Sequence, residues 1–150
     1  MSYQEKNITV ALISHILIAG YYVINWLPMF QAGTLAAHRL YSLWLVVILA
    51  TILVNIIASI LTNILLTIVE AVKAQKYEEP RFIADERDQI FELKGTRASY
   101  ITFSIGVLLS VLAFAFGQTA LVMISMIVFF ALLAEILGDI FQIFLYRRGF

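Results

Sequence analysis

The chain contains no cysteine, only two histidines and only two prolines among its 150 residues. The absence of cysteine excludes disulfides, thiolate metal sites and a cysteine nucleophile, and two histidines are too few for a histidine-rich metal site. Neither a glycine-rich phosphate loop nor the helical motif of zinc proteases is present. The formal net charge is zero, so bulk electrostatics predict no binding to nucleic acid.

Charge is also scarce and unevenly placed. Charged residues make up 13% of the chain and hydrophobic residues 62%, whereas soluble domains carry roughly 25% charged residues. Thirteen of the twenty charged residues lie between 70 and 97, and the rest of the chain is almost continuously apolar. A chain of this length allows one domain, and its composition predicts a membrane protein that needs no cofactor.

Four apolar segments follow one another in the chain: residues 7–29, 40–69, 98–116 and 120–146. About 20 apolar residues cross the hydrocarbon core of a bilayer, and backbone groups in lipid must be satisfied within a helix. The first run is too long for a cleaved signal peptide, and Pro28 and Gly33 are expected to end its helix. The turn at 117–119 forces the last two helices to be antiparallel neighbours. The pattern predicts an all-α, integral membrane four-helix bundle.

Basic residues predict the orientation of these spans. With the N-terminus in the cytoplasm, nine Lys and Arg residues lie inside and only Arg39 lies outside, which is a strong positive-inside asymmetry. Both termini are then cytoplasmic. Aromatic residues near the ends of the first two spans are expected to form a belt at the outer interface. They are Tyr21, Tyr22, Trp26, Tyr41 and Trp44.

The connector, residues 70–97, is expected to contain a short amphipathic cytoplasmic helix over 80–94. Pro80 suits the first position of a helix. An apolar face at helical spacing would rest on the membrane surface or on the ends of the bundle. It comprises Ile83, Ile90 and Leu93. A break is predicted at residues 94–96, before the third span.

The sequence DERDQIFELKGTRASY within this connector resembles a motif of small bacterial and archaeal multi-span membrane proteins of unknown function, which carry an Asp-Glu-Arg-Asp or Asp-Glu-Arg-Glu box. The matching positions are Asp85, Glu86, Arg87, Asp88, Ile90, Lys94, Arg97 and Tyr100. The resemblance implies a bacterial or archaeal cytoplasmic membrane and no activity. Some members of that family look like regulatory accessories.

Three interpretations of the acidic box remain open. Asp85, Asp88 and Glu92 share one side of a helix and could hold Mg²⁺ or Ca²⁺. The interpretation we favour has these acids in local ion pairs on a solvated helix, with no metal. In the third, Arg87 and Arg97 bind carbonyl ends of the membrane-spanning helices.

The fourth span carries two acids, Glu135 and Asp139, one turn apart, with Gln142 one turn further on. Charged groups within a bilayer are costly, so this face is expected to point into the bundle or into a subunit contact. Counted from the end of the span, both acids lie well inside the membrane, at a depth similar to that of His15 and Asn63. The four groups form a candidate proton or cation site, or a hydrogen-bonded cluster that fixes helix register.

Two small residues, Ala134 and Gly138, stand four positions apart on the same span and predict close packing against a neighbouring helix. Together these features predict a non-enzymatic accessory or regulatory protein that acts through helix–helix contacts, as a homo-oligomer or with a membrane-protein partner. The alternative function is a proton- or cation-conducting unit that uses Glu135 and Asp139.

The basic asymmetry makes the topology testable. Single cysteines introduced into this cysteine-free chain at both termini and within residues 73–97 should resist membrane-impermeant thiol reagents in intact cells, because these segments face the cytoplasm. Labelling of a cysteine at position 88 from outside intact cells would contradict this orientation.

Overall fold

In the computed structural model, the described residues form four α-helices and no strand. Helix α1 spans Tyr3–Gln31, α2 spans Ala37–Ala74, α3 spans Glu86–Ala115 and α4 spans Ala120–Arg148. The structure describes residues 3–74 and 86–148. Side chains are described for residues 5–53 and 87–148 and for Ile56, Ile60 and Ile64. The predicted all-α class is confirmed.

Three of these helices are long and apolar enough to cross a membrane by length and composition. They contain the segments Glu5–Gln31, Arg87–Ala115 and Ala120–Arg148. Helix α2 has a shorter apolar stretch, Ala37–Leu53, among the residues whose side chains are described.

The two tight turns of the fold are closed in the same way. Gly33 and Gly117 have φ values of 63° and 93°, a conformation that glycine adopts without a steric penalty. In each turn the glycine N–H and the following N–H bond back to carbonyls of the last helical turn, with N···O distances of 3.0–3.2 Å. This is the Schellman arrangement, and it satisfies carbonyl groups that the helix end leaves unpaired. Thr119 then caps α4 through its bond from the Val122 N–H, at 3.4 Å.

The prediction that Pro28 ends the first helix is wrong. It lies inside α1, which continues to Gln31. Proline lacks only its own N–H donor, and its carbonyl still accepts a bond from Ala32 at 3.0 Å. The end of the helix is set instead by the left-handed residue Gly33.

Helices α3 and α4 pack closely along small residues. A Cβ atom at Gly138 would overlap Oγ of Ser99 and would lie 3.3 Å from the carbonyl oxygen of Gly95. Nearer the turn, a Cβ at Gly106 would overlap the ring of Phe130. Small residues let backbones approach in this way, so the close packing predicted at Gly138 is confirmed and its partner helix is α3.

A hydrophobic core lies where α1, α2 and α4 meet, towards the end of the molecule that carries the two tight turns. This turn end is opposite the charged end, where α1 and α3 begin and α4 terminates. The buried side chains of the core come from all three helices. They are Ile18, Tyr22, Leu40, Leu43, Trp44, Val47 and Leu132.

The described residues do not form a closed ring of helices. Within them α3 packs on α4, α4 packs on α1 and α1 packs on α2, with a smaller contact between α2 and α4. In that part of the chain α3 makes no comparable contact with α1 or α2. Among the described residues, α4 is thus flanked by α3 on one side and by α1 on the other, and the strip of α4 that carries Glu135, here called the open strip, is exposed between these flanks.

The predicted break at residues 94–96 is wrong, because α3 runs without interruption from Glu86 to Ala115. Ile90 and Leu93 do not pack on the ends of the bundle, and their placement on the membrane surface stays a prediction. Phe91 is buried at 2% exposure, whereas Ile90 and Leu93 are 49% and 70% exposed. Residues 75–85 lie outside the described part of the chain, so the predicted start of a helix at Pro80 stays a prediction.

The contact at Gly138 predicts a specific stability loss. Gly138→Leu should lower the thermal midpoint in detergent, because overpacking a close contact costs about 1–3 kcal/mol. Gly20→Leu is the matched control, since a Cβ at Gly20 would meet no atom within 4 Å. Equal midpoints for the two variants would show that α3 and α4 are not held this closely.

Candidate functional site

A buried polar contact joins the middle of α1 to α4. Nδ1 of His15 lies 2.7 Å from Oδ2 of Asp139, and the two side chains are 4% and 13% exposed. Sequence reasoning put these residues in one layer from their depth in separate spans. The structure places them in direct hydrogen-bonding contact.

This contact can hold one proton on either side. An ionised Asp139 accepts the hydrogen bond from Nδ1–H of His15, and a protonated Asp139 donates its O–H to an unprotonated Nδ1. The ionic form gives a short, charge-assisted bond. A buried pair of this kind adds little net stability, whereas removing one partner leaves the other buried without compensation. The pair therefore fixes how α1 and α4 fit together.

Glu135 stands apart from this pair. Its side chain is exposed, one turn before Asp139 on α4. Gln142, one turn after Asp139 in the same acid-bearing stretch, lies against α3, where it would overlap a Cβ at Gly95. The predicted polar face therefore spreads over three environments. Asp139 meets α1, Gln142 meets α3, and Glu135 lies on the open strip of α4 between them.

Asn63, the fourth residue of the predicted cluster, belongs to the helical stretch of α2. Its side chain lies outside the described residues, so its membership of the site stays a prediction.

The packing of α3 against α4 fixes the level of the acids along the molecule. Gly138 meets Ser99 and Gly95, and Gln142 also meets Gly95. Measured along the helix axes, Asp139 therefore lies at the level of Arg97, to within about one helical turn.

The charged end of α3 is held against the end of α4. The hydroxyl of Tyr146 donates to Oδ1 of Asp88 at 2.8 Å. The rings of Phe91 and Tyr146 meet edge to face, with centroids 4.9 Å apart, and the guanidinium of Arg87 lies 5.7 Å from the Phe91 centroid. Asp88 of the acidic box thus supports the contact between α3 and α4, whereas Arg87 lies over the ring of Phe91 on its own helix.

The other box residues are less constrained by the structure. Glu86 begins α3, with its side chain outside the described residues, and Asp85 lies outside them entirely. Lys94 is exposed on α3. Within the described ranges, no group of three or more His, Asp or Glu side chains is arranged to hold a metal ion.

A second contact between α1 and α4 was missed from the sequence. Tyr22 is fully buried, and its hydroxyl donates to the carbonyl oxygen of Ser125 at 2.7 Å. Trp44 is also buried in the core. The prediction that Tyr22 and Trp44 belong to an aromatic belt at the outer interface is therefore wrong, whereas Tyr21 is exposed. Spacing in the sequence could have indicated this contact, since Tyr22 follows His15 by two helical turns and lies on the same face of α1.

Comparisons with family models, with curated proteins and with solved structures found no match to this chain.

The contact between His15 and Asp139 predicts energetic coupling. In a double-mutant cycle, His15→Leu and Asp139→Leu should together cost less than the sum of the single changes, by roughly 0.6–2 kcal/mol. The measurement is reversible unfolding in mixed micelles. A cycle of His15→Leu with Glu135→Leu is the control and should be additive, because Glu135 is exposed. Additive costs in the first cycle would show that the pair does not hold the helices.

Proposed function

We propose that the protein is a small multi-pass protein of a bacterial or archaeal cytoplasmic membrane. It acts without enzymatic activity, through lateral contacts between its helices and those of a second copy or another membrane protein. Three sufficiently long apolar helices and the many exposed Ile, Leu, Val and Phe side chains along the described helices support a lipid environment. The basic residues at the charged end support a cytoplasmic location for that end.

The charges of α3 indicate where the membrane begins. Arg87, Asp88, Glu92, Lys94 and Arg97 crowd its first twelve residues, and its remaining eighteen residues, 98–115, contain no charge. Those eighteen residues are ~27 Å long as a helix, close to the thickness of a hydrocarbon core. The cytoplasmic boundary on α3 therefore follows Arg97.

Because α3 and α4 pack in one register, the boundary on α3 also gives the depth of the acids on α4. Asp139 then lies near the boundary, and Glu135 lies one turn, ~6 Å, further into the apolar layer. A carboxylate facing lipid is unfavourable at that depth, although less so than at the midplane. The exposed position of Glu135 on the open strip of α4 is the observation that carries the proposal, because a second helix would cover it and supply a polar partner.

The resemblance of the connector to small membrane proteins, some of which look like regulatory accessories, agrees with this function. In the structure one of its motif residues, Asp88, belongs to the contact between α3 and α4, because it accepts the hydrogen bond from Tyr146. The connector is thus part of a supported cytoplasmic end that a partner can contact.

A second candidate function is proton or cation transfer. The observation that favours it is the pairing of His15 with Asp139, at 2.7 Å, one turn from an exposed carboxyl group. A proton shared by the pair can pass to Glu135 through a short rearrangement, and chains of carboxylates and histidines serve as proton relays in membranes.

Assembly tests the accessory function, and flux then separates it from ion transfer. Protein solubilised gently from native membranes should migrate on a native gel above the mass expected for one 17.0 kDa chain in its micelle. Glu135→Trp should reduce the assembly to the single chain, because the bulky ring would block the open strip of α4 that the partner covers. Leu137→Trp is the matched control, since Leu137 is also exposed but lies on the other side of α4.

Flux in liposomes is the second arm of this experiment. Under the accessory function the parent carries no proton or cation flux above that of empty vesicles. Under the transfer function Glu135→Gln and Asp139→Asn assemble normally and lose a flux that the parent shows. A parent that migrates as a single chain and carries no flux would contradict both functions.

A further inference from the structure

A groove of about 430 Å³ lies between α1 and α2 at the turn end of the molecule. Its polar side chains include Asn25 on α1 and His38, Arg39 and Ser42 on α2. None of them belongs to the contact between His15 and Asp139. The groove is therefore a separate feature of the fold, at the opposite end from the acids.

Arg39 has no acidic residue nearby in the chain. It is the only Asp, Glu, Lys or Arg between residues 7 and 69, and residues 98–134 contain none. Glu5, Asp88 and Glu92, the acids at the charged end, lie a full helix length away. Within the described residues, the positive charge of this groove thus faces no carboxylate at its own end of the molecule, and it suits an anion from outside the chain.

Along α2 the lining of the groove changes from polar to apolar. His38 and Arg39 lie at its turn end, the mouth of the groove, and Leu43 and Val46 lie further along the helix. The lining from α1 is mixed and consists of Tyr21, Asn25 and Met29. Eight helical residues separate His38 from Val46, a distance of ~12 Å. A free phosphate would use only the mouth. A molecule with an anionic head and an apolar tail would use both parts.

We infer that this groove binds an anionic phospholipid, with its headgroup phosphate at Arg39 and His38 and an acyl chain along the exposed Val46. The inference depends on the proposed membrane location. Ser42 and Asn25 already donate to the carbonyls of His38 and Tyr21, at 3.0 and 2.8 Å. Their oxygens keep lone pairs that can accept bonds from glycerol hydroxyls of the headgroup. Arginine suits the phosphate because its planar fork can bond two oxygens at once.

The two tryptophans of the chain report on this groove. Trp26 and Trp44 directly follow the groove residues Asn25 and Leu43, and no other tryptophan contributes to the fluorescence. The full chain is reconstituted into phosphatidylcholine vesicles that contain a minor fraction of either brominated phosphatidylglycerol or brominated phosphatidylcholine. Bromine on the acyl chains quenches a nearby indole.

Brominated phosphatidylglycerol should occupy the site about fivefold more favourably than brominated phosphatidylcholine, because one arginine attracts the anionic headgroup. Arg39→Gln should abolish this preference. Arg97→Gln, which removes the same charge at the opposite end, should retain it. Equal quenching by the two lipids in the parent, or an unchanged preference in Arg39→Gln, would overturn the inference.

Two further measurements separate the possible failures. Millimolar inorganic phosphate should leave the preference unchanged, and its loss would show that the groove takes free phosphate and not a lipid. Flotation with vesicles reports membrane insertion independently. Protein that floats without a lipid preference contradicts only the groove, whereas protein that fails to float contradicts the proposed function as well.

Discussion

The close approach of α3 and α4 at Gly138 is the contact on which the placement of the polar groups depends. Because Gly138 meets Ser99 and Gly95, the two helices have one register. That register sets Asp139 beside the last charges of α3. A shift by one helical turn would move the acids by ~5.4 Å along α3, away from the level of Arg97. Small residues make this possible, since a larger side chain would separate the backbones.

Helix α4 is the central element of the fold because it packs against α3 and α1 through two different kinds of contact. Towards α3 it presents small residues. Towards α1 it presents Asp139, which pairs with His15, and the Ser125 carbonyl, which accepts from Tyr22. Two polar contacts between the same helices restrict both rotation and sliding. The open strip, which carries Glu135, belongs to neither contact. Both proposed functions, assembly and ion transfer, therefore depend on Glu135.

Much of the fold could be predicted from the sequence, and the errors share a cause. The all-α class, the four long apolar helices and the antiparallel pair joined at Gly117 follow from hydropathy and turn chemistry, whereas the separate helix expected before the third span is part of α3. Pro28 and Gly95 were expected to interrupt helices, because such residues weaken a helix considered alone. Here Gly95 is packed against Gln142, and a helix that gains tertiary contacts continues through a residue of low propensity. Tyr22 was assigned to an interface belt because its burial depends on neighbours distant in the chain.

By itself, the sequence determined that this is an apolar, helical chain with its charge gathered in one connector, and that its few polar groups stand at helical spacing. Those properties are local, since they depend on residue type and on distances of a few residues. The tertiary structure alone decided that His15 meets Asp139, that Glu135 is left exposed, and that Arg39 lines a groove without an acid nearby. Each of these depends on the rotation and register of one helix against another, which packing sets and hydropathy does not encode.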